Sequence, residues 1–167
     1  MSINHLYGLF ILAAGLAVAV IVSGCRVGYP FQGPGYDPAK GVTEPAAGEE
    51  VFVAITRGDI ASGSGPAFFE QLDAVMAGMT EQEGLIGYAL RKELMGKRVW
   101  TMSVWVDQEG LESFLASPEH REAVKQGGIP RGSVIYAYAD WPKDEMPITW
   151  EQAEQLLREQ NPSRTNP

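Results

Sequence analysis

The chain has one cysteine, Cys25, and two histidines, His5 and His120. A single cysteine excludes an intrachain disulfide framework and any zinc site built on cysteine pairs. Basic residues are also scarce, with 13 lysines and arginines against 21 aspartates and glutamates, a formal net charge of -8 and a pI near 4.7. Binding a phosphate backbone needs a basic face, so a nucleic-acid partner is excluded. The densest basic pairs, Arg91-Lys92 and Lys97-Arg98, read on so acidic a chain as solubilising residues of a hairpin. Gly63-Ser64-Gly65 lies between a strand and a helix but is followed by no Lys-Ser or Lys-Thr, so it reads as a loop and not a phosphate cradle. There is no Gly-x-Ser-x-Gly. On its helix, His120 has Ala116, Ser117, Ala123 and Val124 at the neighbouring turn positions, so no metal site is expected there.

With 167 residues, 45% of them hydrophobic, the chain suffices for one domain with a core and is too short for two. Residues 6–22 (LYGLFILAAGLAVAVIV) form an apolar run without charge or proline, at the lower limit for a spanning helix. Val22-Ser23-Gly24-Cys25 follows and resembles the lipobox of bacterial lipoprotein signal peptides, in which small residues precede the cysteine that is lipidated. Residues 1–24 are thus expected to be a lipoprotein signal peptide and Cys25 the lipidation site, although MSINH lacks the usual basic residue. The other reading is an uncleaved signal anchor. Either one tethers the domain to the cell envelope on the periplasmic or extracytoplasmic side. Arg26 after the cysteine favours the outer membrane in a Gram-negative cell.

Residues 25–49 are rich in glycine and proline without apolar periodicity and read as a tether. As a flexible coil it would hold the domain roughly 25–30 Å from the anchor. Tyr29, Phe31 and Tyr36 in it are candidates for resting at the lipid interface.

Residues 50–142 carry the globular pattern. Strands are expected at 51–57 (VFVAITR), 84–93 (GLIGYALRKE), 98–107 (RVWTMSVWVD) and 133–140 (SVIYAYAD). Between the first two, Phe68, Phe69, Leu72, Val75, Met76 and Met79 fall at helical spacing behind Pro66. Asp107 and Ser117 are placed to cap two further helices. Residues 143–167 hold a C-terminal helix from Thr149, with Gln152 at capping-box spacing, and a fraying tail. The order β-α-β-β-α-β is a ferredoxin-like split βαβ of α+β class with a four-stranded antiparallel sheet. Trp100, Met102 and Val104 share one face of the third strand, while Val99 and Trp105 share the other. The Val99/Trp105 face is too apolar to stay wet, which predicts a partner sheet and a homodimer.

The stretch GLIGYALRKELMGKRVWTMSVWVDQEGLESFLASPEHREAV resembles antibiotic-biosynthesis-monooxygenase-like (ABM-like) domains of the dimeric α+β barrel superfamily. There a glycine-rich strand start leads to a hairpin, a strand ending in Trp, a helix and a Ser-Pro-x-His segment. The resemblance covers roughly residues 51–140. It implies a dimeric barrel and a pocket between sheet and helices, with oxygenation of aromatic substrates, often without metal or flavin. Trp105 and His120 match the family's Trp and Ser-Pro-x-His positions and are the catalytic candidates. Tyr88, Tyr136 and Arg57 are the substrate-binding candidates, with Tyr138 beside them. Haem-degrading relatives use an Asn on the first strand and an axial His later in the second helix. Here those regions hold Thr56 and Arg57, and Ala123 and Val124, so haem degradation is not expected.

Three functions compete. One is a membrane-tethered, cofactor-independent monooxygenase acting on a small aromatic or quinone-like compound. The second is a non-catalytic lipoprotein that binds a small apolar or aromatic molecule. The third is a structural envelope protein whose dimer face and tail helix bind another protein.

Overall fold

A computed structural model describes residues 26–126 and 128–165. The apolar run at 6–22, Cys25 and Gly127 lie outside the described residues. Within them, no helix is long and apolar enough to cross a membrane.

The strand with the cleanest alternation is central. β6 (Arg98–Trp105) lies between β5 (Leu85–Glu93) and β4 (Glu50–Asp59), and β7 (Ile135–Pro142) pairs on the far side of β4. All pairings are antiparallel: Trp105 stands opposite Phe52 and Leu85, Arg98 opposite Asp59, and Ile135 opposite Arg57. Between β4 and β5 runs α1 (Gly65–Met79), with Pro66 in its first turn. α2 (Gln108–Ala116) begins where the Asp107 carboxylate accepts from the Gly110 amide (2.9 Å), and α3 (Pro118–Gln126) follows directly. This is the ferredoxin-like α+β fold expected from the order of elements.

The sheet has five strands, not four. β1 (Arg26–Gln32) pairs antiparallel with the outer edge of β5, with Arg26 opposite Glu93 and Tyr29 opposite Leu90. Residues 25–49, expected to be a tether, therefore include a sheet strand. They also include the small hairpin β2 (Tyr36–Asp37) and β3 (Gly41–Val42). Close approach explains why the segment read as a linker. A Cβ on Gly28 would sit 1.9 Å from the Leu90 carbonyl oxygen, and one on Gly87 would sit 2.7 Å from the Phe31 ring. These glycines admit another chain segment, and composition alone does not separate that use from flexibility. Phe31 and Tyr36 meet edge to face (4.8 Å) and pack against the core, so of the three aromatics in the segment only Tyr29 is exposed.

Both faces of the sheet are covered from within the chain. Val99 and Trp105 face α1 and α2: Trp105 packs with Ala54, Leu85, Leu111 and Phe114, and Val99 with Ile60, Phe68 and Leu90. The apolar face for which a partner sheet was expected is therefore the helix-covered one. On the opposite face Val53, Ile55, Trp100, Met102 and Val104 are roofed by α4 (Trp150–Gln160), through Ala153 and Leu157, and by Ala47, Met146 and Ile148. α4 starts with the expected capping box, Thr149 with Gln152. A short α5 (Pro162–Thr165) follows.

Arg91 belongs to this second layer and is not a solubilising surface residue. It is 7% exposed, its guanidinium lies 4.4 Å from the Trp100 ring and 4.7 Å from the Trp150 ring, and it pairs with Glu154 of α4. The parity of β5 turns it inward beside Ala89, where two indoles shield it and a carboxylate balances its charge.

The tail also closes the β7 edge. Gln160 accepts from the Tyr138 amide and donates to its carbonyl, Asn161 donates to the Tyr136 carbonyl, and Arg164 donates to that of Val134. These side chains take ladder groups that would otherwise template another strand.

Two substitutions test this architecture. Gly28→Val should overpack the β1–β5 contact and lower stability by about 1–3 kcal/mol in urea unfolding, with faster hydrogen exchange in β1. Glu154→Gln should cost about 1.5–3 kcal/mol by weakening the charged hydrogen bond to Arg91. Unchanged urea midpoints would contradict the corresponding contacts.

Candidate functional site

The candidate residues separate by strand parity and helix phase. β6 ends at Trp105, the chain turns through the Asp107 cap into α2, and Ser117 breaks α2 before α3 begins. This path lines up three rings. Trp105 stacks on Phe114 (5.4 Å between centroids, 30° between planes), and Phe114 meets His120 (4.8 Å, 57°). Trp105 is 0% exposed and its indole N–H donates to the Ser103 hydroxyl (2.9 Å). It forms the floor of the row and has no donor left for a ligand.

His120 is the outer member. Its backbone N–H donates to the Ser117 hydroxyl (3.2 Å), while no described residue hydrogen-bonds either ring nitrogen. It is half-buried, and that desolvation alone pushes its pKa below the ordinary 6.5. At neutral pH the imidazole is therefore uncharged and can accept a proton.

On the same side of the sheet, Phe52 packs against the Trp105 cluster and stacks on Tyr138 (6.1 Å, 14°). Tyr138 lies parallel to Tyr136 (6.3 Å, 4°). Both tyrosines are exposed, Tyr136 by 50% and Tyr138 by 41%. Burial and the neighbouring Tyr136 push the Tyr138 hydroxyl upward, so that phenol stays a protonated donor. Tyr88 is half-buried against the Trp105 cluster. Arg57 goes elsewhere. It follows Ile55 in parity onto the α4 side, where its guanidinium donates to the Arg164 carbonyl (3.2 Å) and burial, then Arg98, lower its pKa.

The structure thus brings His120, Trp105, Tyr88 and Tyr136 to the helix-covered side and leaves Arg57 on the other. Phe114 and Phe52 complete the aromatic arrangement and were not among the sequence candidates. Phe114 could have been found from its place on the inward face of α2, and Phe52 from its alternation with Val51 and Val53. A surface hollow of about 580 Å³ lies at the opposite end of the sheet, lined by Asp59, Lys97, Arg98 and Ser133 among others, and by none of the sequence candidates. Among the described residues no group of three or more His, Cys, Asp or Glu could hold a metal ion.

The chain can now be set beside known proteins. Residues 51–126, under half of the chain, match the family model described as antibiotic biosynthesis monooxygenase. Among curated proteins the chain has no match. Among solved structures it is similar to the heme-degrading enzyme LmHde of Listeria monocytogenes, with 13% identity, TM-score 0.53, and coverage of 70% of this chain and 71% of that one. The Rv0793 protein of Mycobacterium tuberculosis is 18% identical with TM-score 0.50, covering 57% and 98%. A conserved protein of Methanosarcina mazei is 13% identical with TM-score 0.50, covering 55% and 92%. At these identities the likeness concerns the fold. Thr56, Arg57, Ala123 and Val124 include no imidazole ligand for a haem iron, and these residues do not fit that group.

The pKa shift sets a sign. Unfolded His120 takes up a proton near its ordinary pKa while the folded state resists it, so stability contributed here falls as pH drops below about 6.5. His120→Gln should remove that part of the pH dependence, read as a flatter urea midpoint between about pH 7.5 and 5.5. Identical slopes in the two proteins would contradict the burial of the ring.

Proposed function

We propose that the chain is a membrane-tethered ABM-like protein that binds a small aromatic or quinone-like compound beside His120 and oxygenates it with O2, without a tightly held cofactor. The observation that carries this reading is the neutral His120 imidazole at the outer end of the Trp105–Phe114 row, with no hydrogen bond to its ring nitrogens among the described residues. The match of residues 51–126 to the monooxygenase family supports it. A flat, electron-rich compound would lie along the ring edges, with Tyr136 and Tyr138 as hydroxyl donors. His120 takes a proton from an acidic ring position, and the resulting anion reacts with O2. At a ring methylene the chemistry balances as one oxygen retained in a carbonyl and the other released with two hydrogens as water. The chain supplies orientation and a proton acceptor.

The tether is part of the same proposal: residues 1–24 direct the chain to the envelope and Cys25 carries the lipid. Metabolic labelling with a fatty acid should mark the wild type and not Cys25→Ser. The homodimer implied by the family resemblance is also proposed, and with α4 in place its contact lies away from the α4-covered sheet face.

The first test is native mass spectrometry of the full chain extracted in mild detergent, followed by O2 uptake with hydroxylated aromatic compounds. A co-purified aromatic compound and O2-dependent turnover are expected, and His120→Gln should lower kcat roughly 10²–10⁴-fold. A bound compound without turnover would favour the binding-protein reading, which the fully engaged Trp105 also suits. Turnover unchanged in His120→Gln would remove the proposed role of this residue.

A further inference from the structure

Where β1 begins constrains how the domain meets its anchor. The apolar run ends at Val22, and Arg26 is already paired in the sheet opposite Glu93. Four residues span at most about 14 Å. The chain therefore enters the fold beside the β5–β6 hairpin, within about 14 Å of the end of the apolar run.

The turn of that hairpin, residues 94–97, presents the most exposed of the large apolar side chains described. Met95 is 94% exposed and Leu94 is 49% exposed. Lysines frame them: Lys97 is exposed, with its ammonium on the Ser62 hydroxyl (2.7 Å), and Lys92 stands under the turn, donating to the carbonyls of Glu93 and Gly96. Arg98 sits between Asp59 (3.5 Å) and Glu93 (3.9 Å), which balances the acidic groups at this end, and Arg131 lies on the adjoining turn before β7.

The other end of the sheet is acidic. Glu49 and Glu50 open β4, Glu81 and Glu83 precede β5, Asp107 and Glu109 follow β6, and Asp144 and Glu145 follow β7, with Lys143 set among them. A chain of net charge -8 thus concentrates its negative charge at one end and turns basic and apolar at the end where the leader joins.

From this we propose that the β5–β6 hairpin is a membrane-docking tip: Leu94 and Met95 enter the interfacial region of an anionic bilayer, and Lys92, Lys97 and Arg131 lie at headgroup level. The inference rests on the tethered reading for its geometry, but the hairpin contact is a separate interaction. The acidic end is held away from the anionic surface, which fixes the orientation of the domain.

The test uses the full chain reconstituted in vesicles of phosphatidylcholine alone and of phosphatidylcholine with phosphatidylglycerol. Vesicle flotation is read together with hydrogen exchange of a peptide covering residues 92–98. Docking predicts exchange slowed roughly tenfold in the anionic vesicles relative to detergent, and less at high salt. The double variant Leu94→Ser with Met95→Ser should lose the protection while still floating, and Val124→Ser, an exposed apolar site on α3, should keep it. Flotation without protection of the hairpin would overturn the docking tip and leave the tether standing. Protection that requires vesicles when the leader itself no longer holds the chain would support the tip and sink the tether. Absence of both flotation and protection would overturn both. Protection that scales with protein concentration and is indifferent to lipid would make the hairpin a protein contact, which also overturns the proposal.

Discussion

A guanidinium cannot stay in an apolar layer without a counter-charge, and Arg91 puts one on the inward face of β5. Glu154 supplies the charge, Trp100 and Trp150 the flanking rings, and both Glu154 and Trp150 arrive on α4. The requirement ties the tail helix to one position over the sheet. Once α4 is there, Ala153 and Leu157 reach the Trp100 layer, and Gln160, Asn161 and Arg164 fall along the open edge of β7. The second face and the free edge are thus managed by one segment. The family match at residues 51–126 includes neither α4 nor β1, and it stops before β7 as well.

Much of this was legible in the sequence where a period or a cap carried it. The alternation of 98–107 marks β6, the helical spacing from Phe68 to Met79 marks α1, and Asp107, Thr149 and Gln152 are seen as caps. What escaped depends on contacts between distant segments. Gly28 and Gly87 look like flexibility until β1 and Phe31 are set against β5. Arg91 looks like a solubilising residue until Glu154, far along the chain, is brought to it. The faces of β6 were assigned correctly, yet which layer covers which face turns on the tail helix, and a helix of polar composition gives no address. In the site, Trp105 and His120 were visible as residue types. Their relation was not, because Phe114 joins them across a helix break and Ser103 takes the indole N–H. Arg57 could have been separated from Tyr136 by parity along β4.

The placement of the aromatic row and of the hairpin follows from one antiparallel register. Trp105 stands opposite Phe52 at one end of the sheet, and Arg98 opposite Asp59 at the other. A domain held by its hairpin end therefore carries the Trp105–Phe114–His120 row on the side remote from the bilayer. On the proposed docking and function, a compound reaching His120 would come through water and not laterally out of the lipid. Its approach passes the acidic end, with Glu81, Glu83, Asp107 and Glu109 close in sequence to the elements that bear the row. That field repels anions, such as carboxylated or sulfated aromatics, and leaves neutral or cationic compounds free to enter. An imidazole whose pKa is lowered by burial fits the same proposal, since it offers a proton acceptor and not a positive charge. Under the proposed function and docking, charge distribution, burial and orientation together favour an uncharged aromatic compound delivered from the aqueous side.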